Sequence, residues 1–567
     1  METNHLNNSN YKQLLQKFHK TNTGVILAID AKNNSKTSIN QKLQTHSNAH
    51  LQSGKQFRYI ILPSDGQDRS ITPINKKMRN RINKLTQDNK DVSLSKRLHE
   101  CSTEIDEEND YFSKTRQMAE RVIKLIPQKS STLSVKEQAV PLQSELGRTW
   151  SQKNKDMNEA SIDKSLKEDI LQEMHQIRQD QIKICKHLGS FMRTFINLLL
   201  KSSTNECKMF ILWLKHFLDE RDLRYRLDKS ECHFAEASFR IDHLCREMGQ
   251  IYEAVFSSKT RNTKLKKLKK QLPMITARLL LLGLPFEIMD GDTANVPITW
   301  VRAVLMNLKD IIGDKKFLTI SVLGIQGSDT STLLNTMFGL QFAVNPKRCT
   351  RGVLMQLVPV DDNFPFEWVL VIYTEGVRTL ELGHHENKQN NELATFVIGL
   401  GDIVVVNIKG EYTDKVNYVL QISVHAFKFT KDSMCEKQSC VFVHHNVPAI
   451  DANDKVHGRQ KFVEIWDDIT KKAVDKANIA EINSFNHVIE FDREKSVWYF
   501  SDLWLGHHSM CHDNPSYSEN VANVKNAIMF GLSKKQTNYL TVTGTISRIE
   551  NLWNRVLKND FVFKFQS

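Results

Sequence analysis

GIQGSDTS, residues 324 to 331, has the length and the two ends of a loop that wraps phosphate in backbone N–H groups. Such a loop reads G-x-x-x-x-G-K-[ST]: glycines let the backbone approach, the lysine reaches the outer phosphates and the closing hydroxyl holds Mg2+. Gly324 opens the pattern and Ser331 closes it, but Asp329 stands at the second glycine and Thr330 at the lysine. Thr330 offers a hydroxyl and no charge. Asp329 sets a carboxylate beside the phosphates, and a unit charge pair at about 4 Å is worth roughly 4 kcal/mol at an effective dielectric of about 20. Discounted for relaxation to ~3 kcal/mol, the repulsion weakens binding roughly a hundredfold. Glycine serves at that position because the loop often needs positive φ, which aspartate tolerates better than most residues.

The pattern has meaning only between a strand and a helix. FLTISVLG (317 to 324) precedes it and TSTLLNTMFG follows. WVLVIY (368 to 373), DIVVVNI (402 to 408) and SCVFVHH (439 to 445) are further short β-branched runs of the kind that form a buried, mostly parallel sheet. With helical stretches such as TDKVNYVLQISVHAF between them, they predict an α/β domain whose first loop lies at the carboxyl end of its first strand, where such sheets bind ligands. The usual base-reading [NT]-K-x-D is absent; His444 to Val447 follow a strand at that place and read as an ordinary strand end.

Other residues offer chemistry with weaker patterns. GHHSMCHD groups His507, His508, Cys511 and His512, but no second ligand pair stands at standard metal spacing, so a polar loop is the better reading. Cys349 has no base to activate it and reads as a small packed residue. Trp213 and Phe217 lie within an apolar helical run and are assigned to the core rather than to base stacking. KTRNTKLKKLKKQLP, 259 to 273, sets Lys264, Lys266, Lys267, Lys269 and Lys270 around Leu265, Leu268 and Leu272. This is a basic amphipathic helix: a solvated face docked by its leucines, with an import signal or an anionic-surface patch as the alternative.

The elements that must position the loop come before and around it. Residues 1–108 are polar with short apolar clusters and are expected to be a largely disordered arm. From Tyr111 helical spacing begins, stopped at Pro127. A stripe of Ile162, Leu166, Ile170, Met174 and Ile177 then needs the apolar runs FMRTFINLLL and CKMFILWLKHFL as partners, which makes a helical bundle ending near LPFEIMDGD. The net charge of +13 favours anionic partners only weakly, since it is spread along the chain. Nine cysteines without a C-x-x-C pair, and a polar start without an apolar h-region, point to a reduced intracellular compartment. The run LLLLGLPF is far below the ~20 apolar residues of a membrane span.

RCTRG, with Thr350, sits where a GTPase's mobile switch threonine would fall, and VLVIYTEG where a D-x-x-G switch would follow a buried strand. GIQGSDTSTLLNTMFGLQFAVNPKRCTRG, YTEGVRTLEL, GLGDIVVVNIKGE and NPSYSENV, with CREMGQIYEA, LPFEIMDGDTANVPITWV and MFILWLKHFL, resemble the very large interferon-inducible GTPases and the related up-regulator of cell proliferation over roughly residues 110 to 567. The resemblance implies an α/β P-loop GTPase-like domain (313–560) preceded by an α-helical bundle (109–295) and the arm. Its candidate nucleotide-binding residues are Gly324, Gly327, Ser328, Asp329, Thr330, Ser331, Thr332, Thr350 and Gly376, with Ser331 and Thr350 as metal ligands and no catalytic residue assigned. The ligands implied are GTP and Mg2+, and the partners further copies or other members of the family, in the cytoplasm and the nucleus; nucleic acid is not implied. Tyr373 replaces the switch aspartate that the family carries, so the chain reads as a short, degenerate GTP-binding member with weak binding and lost hydrolysis. Two alternatives remain: Lys347 or Arg348 supplies the missing charge, or the chain is a helical scaffold with a vestigial site.

Overall fold

The computed structural model describes residues 25–30, 57–62, 110–126, 132–158, 163–226, 239–258, 261–325, 329–340, 352–361, 363–377, 384–409, 438–445, 496–501, 503–505, 512–533 and 538–558, with isolated residues between them. In chain order the elements are β1 (Val25–Asp30), β2 (Phe57–Leu62), α1 (Asp110–Ile123), α2 (Thr132–Ala139), α3 (Glu145–Met157), α4 (Lys164–Lys186), α5 (Ser190–Lys201), α6 (Thr204–Arg226), α7 (Ile241–Ser257), α8 (Thr263–Leu281) and β3 (Phe286–Met289). There follow α9 (Ile298–Ile312), β4 (Lys316–Ile325), α10 (Thr330–Phe338), β5 (Val353–Pro359), β6 (Trp368–Val377), α11 (His384–Leu400), β7 (Ile403–Lys409), β8 (Ser439–His445), β9 (Val497–Tyr499), β10 (Trp504–Leu505), β11 (His512–Asp513), α12 (Pro515–Asn526), a π-helix (Ala527–Leu532), β12 (Leu540–Thr541) and α13 (Val542–Lys558). Contacts divide the chain into two units.

The first unit takes Met1–Leu125, Lys208–Phe239 and Leu503–Asn514. Within it the apolar clusters VILAID and FRYIIL pair as parallel strands β1 and β2. The rest of the arm expected over 1–108 lies outside the described residues. α6 buries Phe210, Ile211, Leu214 and Leu218, which leaves Trp213 and Phe217 half-buried beside that stripe rather than in the core. Their rings stack at 6.0 Å, and the Arg116 guanidinium lies 5.6 Å from the Trp213 ring.

The second unit holds the large sheet, ordered β3-β5-β6-β4-β7-β8-β9, with β12 on β4. The four strand runs legible in the sequence are β4, β6, β7 and β8, all parallel and buried on both faces, as near-continuous Val/Ile/Leu runs demand. The sheet is mixed, because β5 joins β6 antiparallel and β3 joins β5 antiparallel. Phe286–Met289, at the end of the helical region by sequence, is thus an edge strand of this sheet. TDKVNYVLQISVHAF lies almost wholly outside the described residues. α13 lays Ile549 and Trp553 inward, Trp553 meeting Phe396 of α11 edge-on at 5.8 Å. Asp402 then fastens helix to sheet: it accepts from the Thr319 N–H at 2.9 Å and from Arg548 at 2.6 Å. At neighbouring Gly401 a Cβ would collide with the Ser321 Oγ and come 2.9 Å from the Ile403 carbonyl. Gly401→Ala is therefore expected to cost about 1–3 kcal/mol, read as a shifted denaturant midpoint.

The stripe expected on α4 is only partly apolar in its burial. Ile170 and Met174 are buried, Leu166 is exposed, Ile162 is outside the described residues, and the buried face continues as Arg178, Gln181 and Cys185. The Arg178 guanidinium lies 3.9 Å from the Trp150 ring centre, donates to Gln181 Oε1 at 2.6 Å and stands 3.7 Å from the Glu253 carboxylate. Beside it the buried Glu247 carboxylate accepts from Leu142 N, Gln143 N and Gln143 Nε2 at 3.0 to 3.1 Å. Burial outweighs those donors and pushes the Glu247 carboxyl up to about 7. Buried polar groups that are this fully partnered specify one arrangement of α3, α4 and α7.

Candidate functional site

β4 delivers Gly324 and Ile325 to the carboxyl edge of the sheet, and α10 starts at Thr330. Gly327, Ser328, Lys347, Arg348, Cys349 and Thr350 lie outside the described residues. Asp329 adopts φ 55° and ψ 27°, the left-handed conformation that glycine takes without cost. Its carbonyl accepts the first bond of the helix, from Leu333 N at 3.0 Å, while its side chain makes no capping bond. A backbone conformation that suits glycine is thus held by a residue that carries a carboxylate.

The next two side chains turn inward. Thr330 and Ser331 are buried, and Thr332 is half-buried. Asn407, near the end of β7, donates its Nδ2 to Thr330 Oγ1 at 2.8 Å. The Ser331 Oγ and the Tyr373 Oη share a hydrogen bond of 2.7 Å, with Tyr373 fully buried on β6. Phe342 lies against that phenol, ring centres 4.5 Å apart, and is held there by Asn335 of α10, whose amide bonds both the N–H and the carbonyl of Phe342 at 2.9 Å. β6 itself runs on to Val377, which takes Thr374, Glu375 and Gly376 into the strand instead of releasing them to a loop.

At the end of β8, His444 and His445 are buried. His444 stacks on Tyr499 at 5.1 Å; His445 meets Phe500 at 5.1 Å and Tyr517 of α12 at 5.9 Å. Burial first, then the charges His444 and Lys409 would add, bring the His445 imidazole down to about 3. Burial and then the Asp329 carboxylate push the Tyr517 phenol up, and Tyr517 Oη has no hydrogen-bond partner among the described residues. His445 is therefore uncharged at neutral pH, a ring within an aromatic cluster. Because folding holds His445 below its ordinary value of 6.5, its stability contribution is complete above pH 6.5 and is lost as pH falls toward 3. Thermal unfolding followed between pH 7 and pH 4 should show a smaller acid-induced drop in His445→Phe than in the parent chain.

Sequence reasoning found the strand and the helix on either side of GIQGSDTS and missed the partners of Thr330 and Ser331. Asn407 is the one amide of the run DIVVVNI, and a polar residue in a fully buried strand was the signal for it. Phe342 carried no such signal. Of the GHHSMCHD group, His507, His508 and Cys511 lie outside the described residues and His512 opens β11; no cluster able to hold a metal occurs among the described residues. No helix among them is long and apolar enough to cross a membrane.

The parallel strand β4, the left-handed Asp329 and the helix α10 that starts after it, within a mixed sheet flanked by helices, define an α/β domain. The profile of the URGCP-like GTPase domain matches residues 143–518, and the chain belongs to that family. It is 34% identical over 506 residues to interferon-induced very large GTPase 1 of Mus musculus, covering 82% of this chain and 21% of that protein. For the Homo sapiens protein of the same name the identity is 32% over 515 residues, 83% of this chain and 21% of the other. Up-regulator of cell proliferation from Bos taurus is 30% identical over 328 residues, 54% of this chain and 35% of that one. The chain thus spans about a fifth of the length of the very large GTPases it matches.

Proposed function

We propose that this chain is a GTPase-like module that does not turn over GTP and acts through contacts with other proteins. One observation carries the reading: Ser331 and Thr330, the positions that would meet Mg2+ and the outer phosphates, are each bonded inward, to Tyr373 and Asn407. Magnesium does not suit this donor set, since the Ser331 hydroxyl is engaged by a neutral phenol where the resemblance asks for a carboxylate. Within GIQGSDTS a triphosphate meets the Asp329 carboxylate and no lysine. Gly324, Gly327, Ser328, Thr332, Thr350 and Gly376 are, on this reading, what is left of a cradle. The left-handed backbone kept at Asp329 favours a second reading, weak guanine-nucleotide binding without hydrolysis.

Titration of the full chain with a fluorescent guanosine triphosphate and Mg2+, alongside phosphate release, separates the two. The expected result is no saturable binding up to millimolar nucleotide and no release above buffer. Micromolar binding that Ser331→Ala abolishes would overturn the proposal.

A further inference from the structure

Residues 258 to 286 contain no aspartate or glutamate, and their charge is concentrated on α8. The leucines dock as the sequence leads one to expect: Leu265 and Leu272 are buried and Leu268 half-buried. The opposite face exposes Lys264, Lys266, Lys267 and Lys270. Helix stability does not explain them. The first turns of a helix favour negative charge, and Lys264–Lys267, Lys267–Lys270 and Lys266–Lys270 are like-charge neighbours at i,i+3 and i,i+4. None of the four has an ion-pair partner among the described residues. The packed neighbours supply no counter-charge either: α5 has no carboxylate, Glu247 and Glu253 of α7 are buried, and the one carboxylate of α9 is Asp310 in its last turn.

Two apolar side chains accompany this face. Met274 continues the Lys266–Lys270 row at the same spacing and is 38% exposed; Phe256, at the end of α7, is 47% exposed. One face of the Phe256 ring is stacked on Tyr252 at 5.8 Å, and Lys269 Nζ lies 4.5 Å from its centre. Tyr252 and Lys269 thus both lie against this ring and leave less of it free for stacking. A nucleic-acid base needs a free aromatic face to stack on, whereas an apolar side chain beside unpaired lysines is what inserts among lipid headgroups.

We propose that the exposed face of α8, with Phe256 and Met274, docks on an anionic phospholipid surface. The lysines supply the attraction, each worth about fivefold in affinity, and the two apolar side chains enter the headgroup layer. This docking is independent of whether the domain binds nucleotide.

Flotation of the full chain with vesicles of phosphatidylcholine, with and without phosphatidylserine, tests it. The wild-type chain should float with the phosphatidylserine vesicles only. Lys264→Gln, Lys266→Gln, Lys267→Gln and Lys270→Gln combined should weaken that binding at least a hundredfold with the circular dichroism spectrum unchanged. Phe256→Ser should weaken it about tenfold while leaving binding to heparin, a headgroup-free polyanion, as it was. Failure of the wild type to float, or flotation of the four-lysine variant at the wild-type level, would overturn the proposal. So would binding of oligouridine that is tighter than vesicle binding and indifferent to Phe256→Ser, which would make this a nucleic-acid face.

Discussion

A full-length chain carrying Asp329→Gly and Thr330→Lys should bind fluorescent guanosine triphosphate with Mg2+ at least a hundredfold more tightly than the wild type. The glycine removes a carboxylate worth ~3 kcal/mol of repulsion and suits the left-handed backbone already in place at φ 55°. The lysine restores the charge, but its side chain must leave the buried position of Thr330, so Asn407 loses an acceptor at a cost of about 1 kcal/mol in stability. Even then Ser331 remains bonded to the phenol. Adding Tyr373→Phe keeps the ring against Phe342 and removes the phenol's bond to the Ser331 hydroxyl, which should improve binding about fivefold more. A double variant no tighter than wild type would mean that charge at the loop is not what disables it. Micromolar binding by the wild type would mean that another cation holds the phosphates.

The strand before GIQGSDTS and the helix after it were legible because their signals are local. Four parallel strands were legible for the same reason: buried strands leave continuous β-branched runs. The runs of β5 and β3 are of the same apolar kind, but pairing is non-local, and nothing in VLMQLVP or FEIM states that each runs antiparallel to its neighbour. The inward bonds of the site were illegible for a similar reason. Tyr373 is 42 residues from Ser331 and Asn407 is 77 from Thr330, so only the sheet order makes them partners. On α4 the helical period was right and the chemistry was not, because Arg178 and Gln181 occupy buried positions that hydrophobic periodicity reserves for apolar side chains.

Replacing Arg246 should be the most destabilising single change in the second unit. Its guanidinium reaches Glu287 at 2.7 Å, Asp290 at 3.0 Å and Asp292 at 2.8 Å, so that one cation of α7 holds three carboxylates at and after β3. Burial pushes the Glu287 carboxyl up to about 7 even though the Arg246 charge pulls it down. Arg246→Met keeps the length of the stem and removes the charge, leaving the half-buried Glu287 and Asp290 carboxylates uncompensated, which costs about 3 kcal/mol. The sign of its pH dependence follows from the same groups. Without Arg246 the Glu287 pKa rises further above its ordinary 4.5, so the folded state holds a proton that the unfolded chain has released. The stability that this proton confers is complete below pH 4.5 and lost as pH rises through 7 and beyond. The variant's deficit, read from denaturant unfolding, should therefore be larger at pH 8 than at pH 5. A deficit equal at both would assign the loss to packing of the arginine stem. Arg246→Met combined with Glu287→Leu should recover part of the loss, because the carboxylate with the shortest ion-pair distance to the guanidinium is then gone as well.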